Sequence, residues 1–445
     1  MDGRHLALKV LYQINEENAY ANLALDEALR KNPGVDPRDR GLATELVYGC
    51  TKYRGRLDWV INQFAKPKVE KMAPWIRNII RLGLYQLIFL DKVPASAAIN
   101  EAVKLAKKYG HQGTVKFVNG VLRNIQRNLD KIKYPNFETN PVEHLQVVYS
   151  HPYWMVKDWV ERFGPQGALE LCKYNNNPSP LWIRTNTLKN TRAELKEKLA
   201  LEGVETVESS RTTEGLRIIG NVAIGQLSSF KQGLFTVQDE SSILVGHSLN
   251  PKPGQVLLDV CSGPGGKTSH LAQLMENQGR ILAFDVHEHR LKLIEETCDR
   301  LGIKIVETIL HDARQLRAII KEQADGILVD APCSGLGVLG RRPDARWQKR
   351  PEDITELVKI QKAILNEVAP LVKSGGTLVY STCTITFEEN NQVVEDFLAT
   401  HEEFYLDKDL PKYLSLPNLG EEGWVQFLPH IHNIDGFFIA RMEKK

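Results

Sequence analysis

Two cysteines late in the chain stand in similar surroundings. Cys333 closes the run Asp330-Ala331-Pro332-Cys333, and Cys383 lies in Ser381-Thr382-Cys383-Thr384, 50 positions further on. Each follows a short apolar stretch (326–329 and 376–380) that reads as a buried parallel strand. In an open α/β sheet the carboxyl ends of neighbouring strands face one crevice, so both thiols can share a pocket. The chemistry that needs such a pair is addition of a carbon to a pyrimidine ring. A thiolate adds to ring C6, the ring becomes an enamine, and C5 then attacks an electrophilic methyl group. A free cysteine is more often a small buried core residue. Here the placement at strand ends, and the loop described next, favour chemistry.

That loop is Cys261-Ser262-Gly263-Pro264-Gly265-Gly266-Lys267-Thr268, after a strand at 256–259 and before a helix. A phosphate loop G-x-x-x-x-G-K-[ST] needs glycine where Cys261 stands. A dinucleotide fingerprint starting at Gly263 needs glycine where Thr268 stands. Both templates fail by one position, which leaves a ligand with adenosine but no phosphate, S-adenosylmethionine. Small residues let its amino-acid end approach the backbone, and the helix N-terminus offers N–H groups to its carboxylate. Asp285, 19 residues after Gly266, ends the next strand and is placed to accept both ribose hydroxyls. Arg290 falls one turn into the following helix, and Asp312, after the third strand, is placed for the adenine amino group. Helix capping is the ordinary alternative for Asp285 and Asp312. As a set in register, residues 261–267 with Asp285, Arg290, Asp312 and Asp330 read as a cofactor pocket.

The elements that must position these groups follow from the rest of the chain. Its 445 residues exceed one core, so two or three domains are expected. Hydrophobic content of 42% and charged content of 25% are those of a soluble globular protein. The net charge of +2 announces no global affinity for nucleic acid, so any RNA contact must come from local patches. No signal core or membrane-length apolar run is present. Six scattered cysteines without C-x-x-C argue against a metal site and a disulfide framework, and for a reducing cytoplasm. Nothing demands an oligomer, and a monomer is expected.

Apolar residues recur at helical spacing through 1–133, which reads as an all-α domain. A polar, proline-containing stretch at 134–141 reads as a linker. The stretch 142–235 reads as a small α+β module: helical segments near 154–163 and 166–174, a strand at 181–185, a helix at 192–201, and shorter strands near 204–207 and 216–219. From 236 to 445 strands and amphipathic segments alternate. Strands at 256–259, 281–286, 303–309, 327–330 and 378–380, closed by a hairpin at 424–428 and 437–440, predict a doubly wound Rossmann-like sheet.

The loop 261–268, the run Asp330-Ala331-Pro332-Cys333-Ser334-Gly335 and the run 381–384 resemble those of the RNA 5-methylcytosine methyltransferases. Leu42-Ala43-Thr44-Glu45-Leu46-Val47-Tyr48-Gly49, Ala98-Ile99-Asn100-Glu101-Ala102-Val103 and 117–123 resemble a NusB-type RNA-binding domain. The fusion is similar to the bacterial RsmB (Sun/Fmu) family, which methylates a cytosine of 16S ribosomal RNA. The resemblance implies a NusB-like domain, an RRM-like module and a methyltransferase domain that uses S-adenosylmethionine. It implies Cys383 as nucleophile and Cys333 as the group assisting its release. Asp330 would hydrogen-bond the cytosine N3/N4 edge and polarise the ring. Lys267 would orient that carboxylate or lower a thiol pKa, unless it is a plain surface lysine. Spacing alone leaves the two thiols interchangeable, since a DNA-type enzyme attacks with the Pro-Cys thiol, here Cys333. Ala331-Pro332-Cys333 rejects the D/N-P-P-aromatic run of an amino-methylating enzyme.

The stretch 341–350 carries five basic residues and Trp347, and is expected to grip phosphates and stack a base. A non-catalytic RNA-binding or assembly factor is the competing class, and a tRNA substrate the competing target.

Overall fold

The computed structural model describes residues 2–416 and 422–445. Packing divides the chain into two compact units, Met1–Pro178 with Leu339–Lys349, and Ser179–Val338 with Arg350–Lys445.

The first unit is helical. Its central helix, Pro74–Phe89, buries residues on every face, among them Ile76, Ile79, Ile80, Leu82 and Leu84. A helix apolar all round must be enclosed by others, and Gly3–Glu16, Ala95–Tyr109 and Gln112–Arg127 pack against it. The two helical segments read near 154–163 and 166–174 form one run, Tyr153–Asn176, broken at Gly164 (φ 72°) before Pro165. Glycine tolerates that left-handed conformation, and proline restarts the helix at its first turn.

The segment Leu339–Lys349 belongs to this helical unit and carries the short helix Ala345–Gln348. Arg346 is fully buried. Its guanidinium donates to Ser150 O (3.1 Å), Asn175 O (3.3 Å), Asn176 Oδ1 (2.9 Å) and, at the limit of reach, Lys52 O (3.5 Å). Helices Pro37–Lys52 and Tyr153–Asn176 end at these groups, and Pro141–Val148 ends just before Ser150. The last carbonyls of a helix lack partners within it, and a cation there also complements the helix dipole. One guanidinium therefore serves three helix ends. Trp347 donates its Nε1–H to Thr51 O at 2.7 Å. This takes Arg346 and Trp347 out of the phosphate grip expected of 341–350; of the five basic residues there, Arg342 and Arg350 are exposed and Arg341 and Lys349 half-buried. Unpaired helix-end carbonyls, not phosphates, take its central donors.

The second unit holds two sheets. Strands β1 (Leu181–Thr185), β2 (Thr206–Glu208), β3 (Gly215–Ile218) and β4 (Phe235–Val237) make an antiparallel sheet in the order β2-β3-β1-β4. The helix Arg192–Leu201 begins at a Thr191/Glu194 capping box and buries Leu195 and Leu199 with Ile183 and Leu216. β4 went unread in the sequence because three residues are too few to show alternation.

The larger sheet contains β5 (Val256–Asp259), β6 (Arg280–Asp285), β7 (Val306–Leu310), β8 (Ala324–Asp330), β9 (Val372–Thr382), β10 (Phe404–Leu406), β11 (Trp424–Phe427) and β12 (Phe437–Lys444). Its order is β10-β12-β9-β8-β5-β6-β7, with β11 paired to β12. The strands from β7 to β9 are parallel, and β12 runs antiparallel to β9. The doubly wound sheet and its closing hairpin are those expected; the short β10 was not read. Chain order reverses between β5 and β8, which makes their carboxyl ends the topological switch point. Register pairs Asp330 with Ser381, so the loops carrying the two cysteines leave the sheet side by side. Among the described residues no helix is long and apolar enough to cross a membrane.

Candidate active site

The strand ends bring the two thiols together. Cys333 Sγ and Cys383 Sγ lie 3.3 Å apart, within hydrogen-bond reach and well outside a covalent bond. Gly337 N donates to Cys383 O at 3.0 Å, closing one cysteine loop over the other. The hydrogen bond shared with Cys383, burial, and the charges of Glu389 and Asp330 all push the Cys333 thiol well above its ordinary range.

Beside the thiols is a partly buried ion pair. Lys267 Nζ sits 2.7 Å from Asp330 Oδ2, and Ser381 Oγ donates to Asp330 Oδ1 at 2.9 Å. Lys267 is not a surface lysine, since its side chain is only 13% exposed. Its ammonium also lies 5.1 Å from the centre of the Phe437 ring. Burial works against the Lys267 charge, but Asp330, and after it Cys383 and Asp259, outweigh that penalty and hold the ammonium above its usual range.

The glycine loop follows β5 directly. Gly265 (φ 98°) is the N-cap of the helix Gly266–Leu274, a left-handed position that only glycine takes without strain. A Cβ on Gly263 would stand 2.4 Å from Asp285 Oδ2 and 2.7 Å from Arg290 Cβ, so the loop approaches β6 only because side chains are missing. Asp285 accepts Gly263 N (3.1 Å) and His287 N (2.8 Å), and Arg290 Nη1 lies 3.7 Å from its Oδ2. Cys261 and Ser262 begin the loop. Ser262 Oγ donates to Phe284 O at 2.9 Å, and burial with the surrounding aspartates pushes the Cys261 thiol far up. Pro264 follows Gly263 through a cis peptide. Beneath the loop, Thr268 Oγ1 donates to Asp259 Oδ2 at 2.7 Å, and burial raises the Asp259 carboxyl to about 7.

Asp312, whose charge also bears on Cys261, has local partners of its own. It caps the 3₁₀ turn Ala313–Ala318 by accepting Arg314 N (2.9 Å), and the Arg314 guanidinium clasps both of its oxygens. The capping alternative weighed from the sequence is thus what its carboxylate does.

Three further groups hold the site and were not singled out from sequence. Arg184 on β1 is fully buried and donates to Gly266 O (2.8 Å) and Ser269 Oγ (3.0 Å), on the first turn of the helix behind the glycine loop. A lone charge inside a strand whose next residues are buried was the available signal. Glu214 places one oxygen between His247 Nε2 (2.8 Å) and His270 Nε2 (2.7 Å), tying the smaller sheet to the same helix. Glu389 and Asn390, both buried, frame the cysteine loops. In sequence they look like an ordinary polar turn.

A cleft that joins a glycine-cradled helix start, strand-end carboxylates and paired thiols at a switch point defines the Rossmann-like methyltransferase class of fold. Comparison with known proteins narrows this. The family model of the 16S rRNA methyltransferase RsmB/F matches residues 246–443, that of the NusB family residues 1–127, and that of the RsmF/B-like ferredoxin-like domain residues 151–225. The chain is 42% identical to the probable ribosomal RNA small subunit methyltransferase B of Bacillus subtilis, over 99% of this chain and 98% of the relative. It is equally similar, at 42%, to the probable protein of that name from Synechocystis, with both chains covered in full. The crystal structure of PH0851 superposes with a TM-score of 0.83 at 32% identity, covering 100% of this chain and 99% of that one. The crystal structure of NSun6 from Pyrococcus horikoshii with SFG aligns with a TM-score of 0.60 at 26% identity, over 67% of this chain and 99% of its own. The chain belongs to the ribosomal RNA small subunit methyltransferase B family.

Proposed function

We propose that this chain transfers a methyl group from S-adenosylmethionine to C5 of a cytosine in 16S ribosomal RNA, through a covalent bond between Cys383 and ring C6. The observation that carries this reading is the 3.3 Å contact of the two thiols beside the Lys267–Asp330 pair. The residues fit the cofactor. The glycine at 263 lets the loop close onto Asp285, the helix Gly266–Leu274 offers its first N–H groups, and the buried Asp285 offers carboxylate acceptors to a ribose diol. Arg290 borders that carboxylate. When bound, S-adenosylmethionine supplies an electrophilic methyl group.

The chain's own residues do the rest. The Cys383 thiolate adds its electron pair to C6, and the C5=C6 electrons become available at C5. Asp330, steadied by Lys267 and Ser381, hydrogen-bonds the N3/N4 edge and stabilises charge as the adduct forms. After C5 has taken the methyl group, its proton passes to water in the crevice. The C5=C6 bond re-forms and expels the Cys383 thiolate, with Cys333 assisting that release. The target base must first leave its stack to reach the crevice. The helical unit, matched by the NusB family model, is assigned to RNA recognition.

Transfer of radiolabel from S-adenosylmethionine to 16S rRNA, with the modified base read by bisulfite sequencing of all cellular RNA with and without the gene, tests this. A new unconverted cytosine in 16S rRNA supports it, and label found only in tRNA would replace the target.

A further inference from the structure

The thiols touch, but they do not hold themselves in place. Behind them two adjacent, fully buried residues, Glu389 and Asn390, each frame one cysteine. Glu389 Oε1 accepts Ser334 N (2.8 Å) and Gln361 Nε2 (3.1 Å), and its Oε2 accepts Ser334 Oγ (2.5 Å) and Thr386 Oγ1 (2.8 Å). Gln361 Nε2 donates as well to Pro332 O at 3.0 Å. The residues on both sides of Cys333 are therefore tied to Glu389, one directly and one through Gln361. Asn390 repeats the arrangement on the other loop. Its Oδ1 accepts Thr382 Oγ1 (2.6 Å) and its Nδ2 donates to Thr384 O (3.1 Å), so the residues on both sides of Cys383 are tied to Asn390. A contact of 2.8 Å between Ser334 Oγ and Thr384 Oγ1 joins the two frames.

The frames are alike in geometry and unlike in charge. The Cys333 frame carries a carboxylate; the Cys383 frame carries a neutral amide. The Lys267 ammonium lies within electrostatic reach of Cys383. A buried negative charge disfavours a second one close by, whereas an ammonium favours a thiolate.

We infer that Glu389 and Asn390 are the positioning residues that make the two thiols unequal, Glu389 holding Cys333 as the proton-carrying partner and Asn390 leaving Cys383 as the thiol that ionises. This rests on the methyltransferase reading for its purpose, but its test does not need RNA. The full-length protein is treated with iodoacetamide across pH, and the alkylation of each cysteine is followed by mass spectrometry. In the wild type Cys383 is alkylated at least about tenfold faster than Cys333, the ratio that one unit of pKa difference produces. Glu389→Gln keeps the shape and removes the charge, so Cys333 gains about tenfold and its reactivity midpoint moves to lower pH. Asn390→Asp adds a charge to the other frame, and Cys383 slows by a similar factor. In methyl-transfer assays both variants lose kcat while the KM for S-adenosylmethionine stays unchanged.

Equal rates for the two wild-type thiols, or a ratio unmoved by Glu389→Gln in a protein that still binds cofactor, would overturn the inference. Should either variant fail to fold, Ser334→Ala decides. It cuts the hydroxyl link but keeps the Glu389 charge, so Cys383 must remain the faster thiol while kcat falls; a reversed ranking refutes the assignment. A protein with the expected ranking that transfers no methyl group to any RNA would leave the thiol assignment standing and remove the proposed function.

Discussion

The crevice at the ends of β8 and β9 and the stretch 341–350 lie close in sequence, and both are rich in polar side chains. Their fates differ. In the stretch, Arg346 sends its bonds to backbone carbonyls and one amide at helix ends and is fully buried. In the crevice, Lys267 pairs with Asp330 and Cys333 with Cys383, side chain to side chain. A polar group whose bonds end on unpaired backbone is a cap, and it stabilises a fold. Polar groups that perturb one another's protonation, and keep partial access to solvent, are equipped for chemistry.

The contrast breaks most readily through substitutions that separate activity from stability. Asp330→Asn should lower methyl transfer by about a hundredfold to a thousandfold, as removal of one preorganised polar group does, beyond any loss of stability from the unpaired Lys267. A drop in stability without a loss of kcat would move Asp330 to the structural class. Arg346→Ala should do the reverse in the helical unit. It leaves helix-end carbonyls without donors in a buried place, a loss of about 3 kcal/mol in unfolding free energy. A variant as stable as the wild type would show that water serves those carbonyls as well as the guanidinium.

Asp285→Ala should weaken S-adenosylmethionine binding by about 1.5–3 kcal/mol, the usual worth of hydrogen bonds to a charged group. Calorimetry that finds unchanged affinity would remove Asp285 from the pocket. A further effect is a pH slope from Asp259. Burial raises this carboxyl to about 7, so its contribution to stability is full below about pH 4 and is lost as pH rises through about 7. Asp259→Asn should therefore be less destabilised than the wild type on going from pH 4 to 7, by at most about 1.4 kcal/mol per pH unit. Parallel stability curves for the two proteins would contradict the shift.

The same contrast explains what could be read from the chain before its structure. Apolar runs declare themselves by period, so the helical unit and most of the strands from β5 to β12 were legible, and only the three-residue strands β4 and β10 slipped below the length at which alternation shows. Glycines 263, 265 and 266 were legible because a tight strand-to-helix turn demands small residues at fixed offsets, for close approach at 263 and a positive φ at 265. Arg346 was misread because a basic run looks the same whether it meets phosphates or helix-end carbonyls; only the tertiary fold brings three helix ends to one guanidinium. Glu389 and Asn390 were invisible for a related reason. The Glu389 partners Ser334 and Gln361 lie 55 and 28 positions away, and no repeating pattern announces such a bond or those of Asn390 to Thr382 and Thr384.

The central claim is that Cys383 attacks the base and Cys333 releases it, and it is tested most directly by trapping. Each cysteine is replaced by alanine in the full-length protein, which is incubated with 16S rRNA and S-adenosylmethionine and run on a denaturing gel. Cys333→Ala should accumulate an RNA-linked species that survives denaturation, because attack and methyl transfer proceed but elimination stalls. Cys383→Ala should give neither adduct nor methylated product. A stable adduct with Cys383→Ala and none with Cys333→Ala would contradict the account and make Cys333 the nucleophile.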